Sequence, residues 1–203
     1  MPLQIIGFPR SNFVRAIRML CHERGVPYEY APEPPHSDAV KAIHPIGQIP
    51  VMRHDGLELF ESLAIARYIE DAFPGPRLTP ADPRAAAPVN QWTAFVATSV
   101  DQLLMRRYVV EYAFNKDKDG NVVRTEIDKA VKRMPKMFRV LDAAVAPGHL
   151  GGAAFTLADC FLAPILAAAG NFPEGKELLA ASPALAAYFA RVSARPSFVE
   201  TAK

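Results

Sequence analysis

Between Asp71 and Pro83 the chain reads DAFPGPRLTPADP, four prolines in thirteen residues with no apolar periodicity. Each proline fixes φ and removes a backbone donor, so neither a helix nor a sheet ladder runs through this stretch. Such breaks mark domain boundaries. Short apolar runs punctuated by Gly and Pro precede it, and Ala-rich helical patterns follow it. The expected division of the 203 residues is a domain at 1–75, a linker at 76–83 and a second domain at 84–203.

The first part alternates in period. Leu3-Gln4-Ile5-Ile6-Gly7 reads as a buried strand closed by Gly7 and Pro9. From Asn12 the spacing of Val14, Ile17, Leu20 and Cys21 becomes helical and stops at Gly25. Val26 to Tyr30 is a second strand, so the segment forms a βαβ unit with parallel strands and a right-handed crossover. A short helix is expected from Asp38 to Ile43. Val51–His54 and Leu57–Phe60 flank Asp55-Gly56, a strong hairpin signal. A helix from Ser62 to Phe73 closes this half.

Beyond the prolines the pattern is helical throughout. A long helix is expected from Asp82 through Trp92 and Leu104 toward Tyr112, with Pro88 kinking or delaying it. Asn115–Asn121 is a charged loop. Further helices are expected at Thr125–Ala146, interrupted by Pro135, at Thr156–Ala169 and at Pro183–Ala194. Thr156-Leu157-Ala158-Asp159 has the form of a capping box.

Composition excludes several function classes. The net charge is +2 and no basic run exists, so nucleic acid is not an expected partner. The longest apolar stretches are broken at Asp159, Pro164 and Gly170, short of a membrane span. The first residues lack a basic segment followed by an apolar one, so no secretory signal is read. Cys21 and Cys160, each within a helical pattern, read as reduced buried thiols in a cytoplasmic protein. Neither has metal-ligand neighbours at useful spacing, and no metal is expected.

Gly47-Gln48-Ile49-Pro50, followed by Glu61-Ser62 at the start of a helical pattern, carries the strongest hint of chemistry. Pro50 interrupts an apolar run, which suits the mouth of a site better than a central strand. With a cis Ile49–Pro50 bond, the N–H and C=O of Ile49 face a peptide-like ligand; with a trans bond the step is a plain turn. A helix start at Ser62 offers free N–H groups to an anion. Taken alone, Ser62 also reads as an N-cap and Glu61 as a surface charge.

The order and spacing of Gly47-Gln48-Ile49-Pro50, Asp55-Gly56…Leu59-Phe60-Glu61-Ser62, Phe155-Thr156-Leu157-Ala158-Asp159 and Arg195-Pro196-Ser197-Phe198 resemble the cytosolic glutathione transferase family over essentially the whole chain. The resemblance implies a thioredoxin-like βαβ–ββα domain followed by an all-helical domain, an α/β plus all-α fold class. It implies glutathione as co-substrate, an electrophilic small molecule as its partner, and a homodimer. Ile49 beside the cis Pro50 is implied to pair with the cysteinyl part of glutathione. Glu61 is implied to take the γ-glutamyl ammonium and Ser62 its carboxylate. That division is sound, because a carboxylate only accepts from –NH3⁺ whereas a hydroxyl and N–H donate to –COO⁻. Gln48 reads either as a contact to the glutathione backbone or as a solvated loop residue. His36 and Lys41 lie in the loop that offers basic groups to the glycyl carboxylate, with His36 one position out of register. His44 reads as a turn residue before Pro45, and Ile46 stands where an aromatic often docks into a partner subunit.

After the first strand comes Gly7-Phe8-Pro9-Arg10-Ser11-Asn12-Phe13-Val14-Arg15, without the C-x-x-C of a thioredoxin or the single Cys of some transferases. Redox catalysis by a protein thiol at this position is thereby excluded. Ser11 stands where serine-type, phi-like classes place their activating hydroxyl; alone it also reads as a helix N-cap, and Asn12 competes for either role. A free thiol of pKa ~8.5 is only slightly ionised at neutral pH, and lowering it by about two units takes ~2.7 kcal/mol. One hydrogen bond to a charged group supplies about 1.5–3 kcal/mol, to which the helix end adds. Phe8, Phe13, Tyr108 and Tyr112 are candidate walls of an electrophile pocket between the domains, or else interdomain packing. Rival readings are a glutathione-binding scaffold without turnover, and a glutathione-dependent peroxidase, ether-cleaving enzyme or isomerase.

Overall fold

The computed structural model describes residues 1–202 and groups them into two compact units, Met1–Pro83 with residues 194–202, and Arg84–Ser193. In the first unit β1 (Gln4–Gly7), α1 (Asn12–Arg24) and β2 (Glu29–Pro32) form the βαβ element, with β1 and β2 parallel. A short α2 (Asp38–Lys41), capped by Ser37, leads to β3 (Val51–His54), β4 (Leu57–Phe60) and α3 (Ser62–Ala72). The sheet order is β2-β1-β3-β4, with β3 antiparallel to both its neighbours. Asp55 and Gly56 both take positive φ, as a type I′ hairpin turn requires.

The pleat separates neighbouring side chains of β1. Ile6 packs with Val40 and Val51 on the α2 side. Ile5 and Met52 point to the other face and are fully buried; α1 and α3 both pack on the sheet. Each such side chain removed from water contributes about 1.5–3 kcal/mol.

The proline-rich stretch is bound to the first unit. The buried Glu70 accepts the N–H groups of Leu78 and Thr79 at 2.7 and 2.9 Å. Arg24, at the end of α1, donates to the carbonyls of Ile69, Phe73 and Pro76. The last segment, which the sequence reading gives to the helical domain, groups with the first unit instead. There α11 (Pro196–Glu200) lies on α1, where Arg15 donates to Phe198 O at 3.3 Å and Glu23 accepts from Arg195 at 2.8 and 2.6 Å and from Ser197.

In the second unit α4 (Pro83–Phe95) continues into a π-helical segment (Val96–Val109) and α5 (Val110–Phe114). Pro88 lies inside α4 without ending it. The π segment accepts at wider spacing, as where Val110 N–H reaches Met105 O. The helix expected over 125–146 is two, α6 (Thr125–Val131) and α7 (Met134–Val145), because Pro135 occupies the first turn of the second. α8 (Leu157–Ala169) is buried almost all round and forms the centre of this unit. Its capping box is present: Asp159 accepts the N–H groups of Thr156 at 2.7 Å and Leu150 at 2.9 Å. α9 (Pro173–Ala180), absent from the sequence reading, and α10 (Pro183–Ser193) complete the unit. Among the described residues no helix is long and apolar enough to cross a membrane.

Candidate functional site

One end of the sheet collects the motifs. Ile6, Val51 and Phe60 lie in register across β1, β3 and β4. One step beyond them are Gly7, Pro50 and Glu61, so three loops and the N-termini of α1 and α3 open at the same edge. The Ile49–Pro50 peptide is cis. Gly7 makes the close approach possible: a Cβ there would lie 2.5 Å from Val14 Cγ2 and 3.1 Å from Ile49 Cβ.

Ser11 is the N-cap of α1. Its Oγ accepts the Val14 N–H at 3.4 Å, its own N–H donates to Phe8 O at 3.0 Å, and its carbonyl receives Arg15 N–H at 2.9 Å. The cap consumes a lone pair of the hydroxyl and leaves the proton to another acceptor, so the capping and activating roles are compatible in one side chain. Ser11 is half-buried, whereas its competitor Asn12 is 3% exposed. Burial, and secondarily Arg18, brings the Arg15 guanidinium down to about 10, still charged at neutral pH, and its Cζ lies 4.5 Å from the Phe198 ring centroid.

Glu61 takes φ 67° and caps α3 without a side-chain bond, leaving its carboxylate exposed. A non-glycine residue at positive φ is costly and concentrates at functional positions. Ser62, first in α3, is buried at 8% exposure, with its hydroxyl at the helix start. Gln48 is exposed and Ile49 half-buried. His36 N–H donates to Gly47 O at 2.8 Å, and its Nδ1 lies 2.6 Å from where a Gly47 Cβ would be. The structure therefore brings His36 beside the Gly47–Pro50 loop. Lys41 is exposed at the end of α2.

The four aromatic candidates divide between the two units, two in each. Phe8, 42% exposed, and the half-buried Phe13 flank Ser11 in the first unit. Tyr108 and Tyr112 belong to the second unit, where both hydroxyls donate to Glu174, at 3.0 Å from Tyr108 and 2.8 Å from Tyr112. Arg124 joins them at 2.5 Å from Tyr112 Oη and from Glu174 Oε1, and Phe172 stacks on Tyr112 at 4.5 Å. Tyr108 is fully buried and its hydroxyl also receives Gly175 N–H at 2.8 Å. Of the two readings offered for Tyr108, packing is the one these contacts favour: its ring is buried and its hydroxyl engages Glu174 and Gly175. Sequence reading missed the partner, because Glu174 is 66 residues from Tyr108.

Residues 5–77 match the model of the glutathione S-transferase N-terminal domain, and residues 124–191 that of the C-terminal domain. Glutathione S-transferase 3 of Zea mays is 30% identical over 98% of this chain and 93% of its own. The crystal structure of glutathione transferase F7 from Populus trichocarpa superposes with a TM-score of 0.86 at 25% identity, covering 98% of this chain and 97% of that one. A structure of glutathione S-transferase III in apo form gives 0.80 at 29% identity, covering 99% and 95%. With both domain models matched and a relative aligned end to end, the chain belongs to the glutathione S-transferase family and resembles its phi-like plant members.

Proposed function

We propose that this glutathione transferase holds its co-substrate along the sheet end formed by Gly7, Pro50 and Glu61, and that Ser11 donates its hydroxyl proton in a hydrogen bond to the glutathione sulfur. The observation that carries this reading is the Val14 N–H on Ser11 Oγ, which orients the hydroxyl at the α1 N-terminus while leaving its proton uncommitted. The hydrogen bond from the Ser11 hydroxyl to the sulfur and the helix field together supply the ~2.7 kcal/mol needed to lower a thiol pKa by about two units. Ser11 keeps its proton throughout.

Glu61 accepts from the γ-glutamyl ammonium, and Ser62 with the free N–H groups of α3 donates to the adjoining carboxylate. The Ile49 backbone pairs with the cysteinyl part, Gln48 contacts the peptide, and His36 and Lys41 face the glycyl carboxylate. The sulfur then forms a bond to an electrophilic carbon and the leaving group departs with its electron pair. Phe8, exposed beside Ser11, and Phe13 offer apolar surface to that electrophile. The protein acts in the cytoplasm as a homodimer. Ile46, 64% exposed, and the exposed Phe60 and Leu63 supply an apolar surface next to the site for a second copy.

The test is the ultraviolet difference absorbance of bound glutathione titrated from about pH 5 to 9. An apparent thiol pKa well below ~8.5, lost in Ser11→Ala, supports the reading. An unshifted bound thiol overturns the role of Ser11 and favours a scaffold.

A further inference from the structure

We propose that His44 is a positioning residue that steers the Glu61 carboxylate at the γ-glutamyl end of the site, an inference that rests on the glutathione-binding reading above. His44 is 4% exposed, in the loop that leads to Gly47. Its Nδ1 accepts the Ile46 N–H at 3.2 Å. A ring nitrogen that accepts carries no proton, so this hydrogen bond places the ring hydrogen on Nε2. That nitrogen lies 3.9 Å from Glu61 Oε1. The ring is wedged against Phe60, centroids 4.8 Å apart, and so has little freedom to turn away.

Glu61 needs such a partner. Its side chain is 67% exposed and forms no cap bond on α3, yet its backbone is held at φ 67°. A solvated glutamate samples many rotamers, and fixing one on binding weakens affinity. A buried ring N–H 3.9 Å from one carboxylate oxygen, longer than a direct hydrogen bond but near enough to bias its rotamer, leaves the second oxygen to the ligand ammonium. One ring thereby ties the loop carrying Gln48, Ile49 and Pro50 to the residue that opens α3. In sequence His44 reads as a turn residue; its burial and its two-sided contacts assign it this further task.

The experiment is a double-mutant cycle on the dissociation constant for glutathione, measured by calorimetry with His44→Asn, Glu61→Ala and the pair. Asn retains an acceptor for Ile46 N–H but is too short to reach Glu61. His44→Asn should weaken binding about fivefold in the native background and not at all beside Glu61→Ala. KM for glutathione should rise while kcat holds. His44→Gln, whose amide nitrogen reaches about as far as Nε2, should recover most of the loss; His44→Ser takes the place of the Asn variant in the cycle if that one does not fold. Equal weakening in both backgrounds, or none in the native one, overturns the proposal. If Glu61→Ala leaves the constant unchanged, both this proposal and the assignment of Glu61 to the γ-glutamyl end fall. If no variant or native protein binds glutathione, the functional reading itself fails.

Discussion

The Ser11 hydroxyl oxygen accepts the Val14 backbone N–H at 3.4 Å and keeps its own proton for another partner. Cap and activator can therefore be separated by substitution. Ser11→Ala should raise the bound thiol pKa toward ~8.5 and lower kcat/KM at neutral pH by about 10- to 100-fold, the equivalent of one hydrogen bond to a charged group. It should also lower stability by about 1 kcal/mol through the lost cap. Ser11→Asp caps as well but presents a negative charge, so it should match native stability in denaturant melts while abolishing the thiol shift.

The C-terminal clamp makes a second prediction. Burial opposes ionisation of Glu23, but hydrogen bonds from Arg195 and Ser197 outweigh it and lower its carboxyl pKa. Glu23→Ala should destabilise the protein by about 1–3 kcal/mol. Amide exchange over 196–200 should accelerate first, because those residues lose their anchor on α1.

Glu174 sets a pH dependence. Burial pushes its carboxyl up, but Arg124, its own backbone N–H, Tyr112 and Tyr108 outweigh this and hold it at about 2 against an ordinary 4.5. A carboxyl depressed in the folded state stabilises the fold above its unfolded value, and that contribution is lost as pH falls through the folded one. Unfolding free energy of the native protein should therefore drop as pH falls from about 4.5 toward about 2. Glu174→Gln should be less stable near neutrality and should show a flatter profile across that window.

The thiols should be silent. Burial pushes Cys21 up to about 12, the nearby Arg24 only partly offsetting it, and Cys160 is fully buried. Reaction with an exposed-thiol reagent at pH 8 should be slow in native protein and complete in denaturant. Activity should survive the native treatment, unlike that of a transferase with a reactive cysteine beside its sulfur site.

How much of this was legible depends on how local the cause is. The helix Asn12–Arg24 follows from apolar spacing and the stop at Gly25, and the Asp55-Gly56 hairpin from two residues that tolerate positive φ. The capping box at Thr156 and Asp159 is equally local. β2 begins three residues later than its apolar run suggests, because pairing with β1 sets its register at Glu29. α9 went unseen because its support comes from distant tyrosines and from Gly175, where a Cβ would lie 2.2 Å from Ala169 O. At the site, Ser11, Pro50 and Ser62 are visible as residue types in a motif. The positive φ of Glu61 is not, since nothing in a glutamate announces that conformation. The burial of His44 is likewise a product of tertiary packing.

The return of residues 194–202 to the first unit has a consequence for synthesis. The βαβ–ββα segment leaves the ribosome early, yet Glu23 and Arg15 meet Arg195, Ser197 and Phe198 only after residues 84–193 have been made. The helix that bears Ser11 thus acquires its last contacts after the whole helical unit has been made. A nascent chain stopped before residue 194 carries Ser11, Pro50 and Glu61 and lacks the piece that fastens α1.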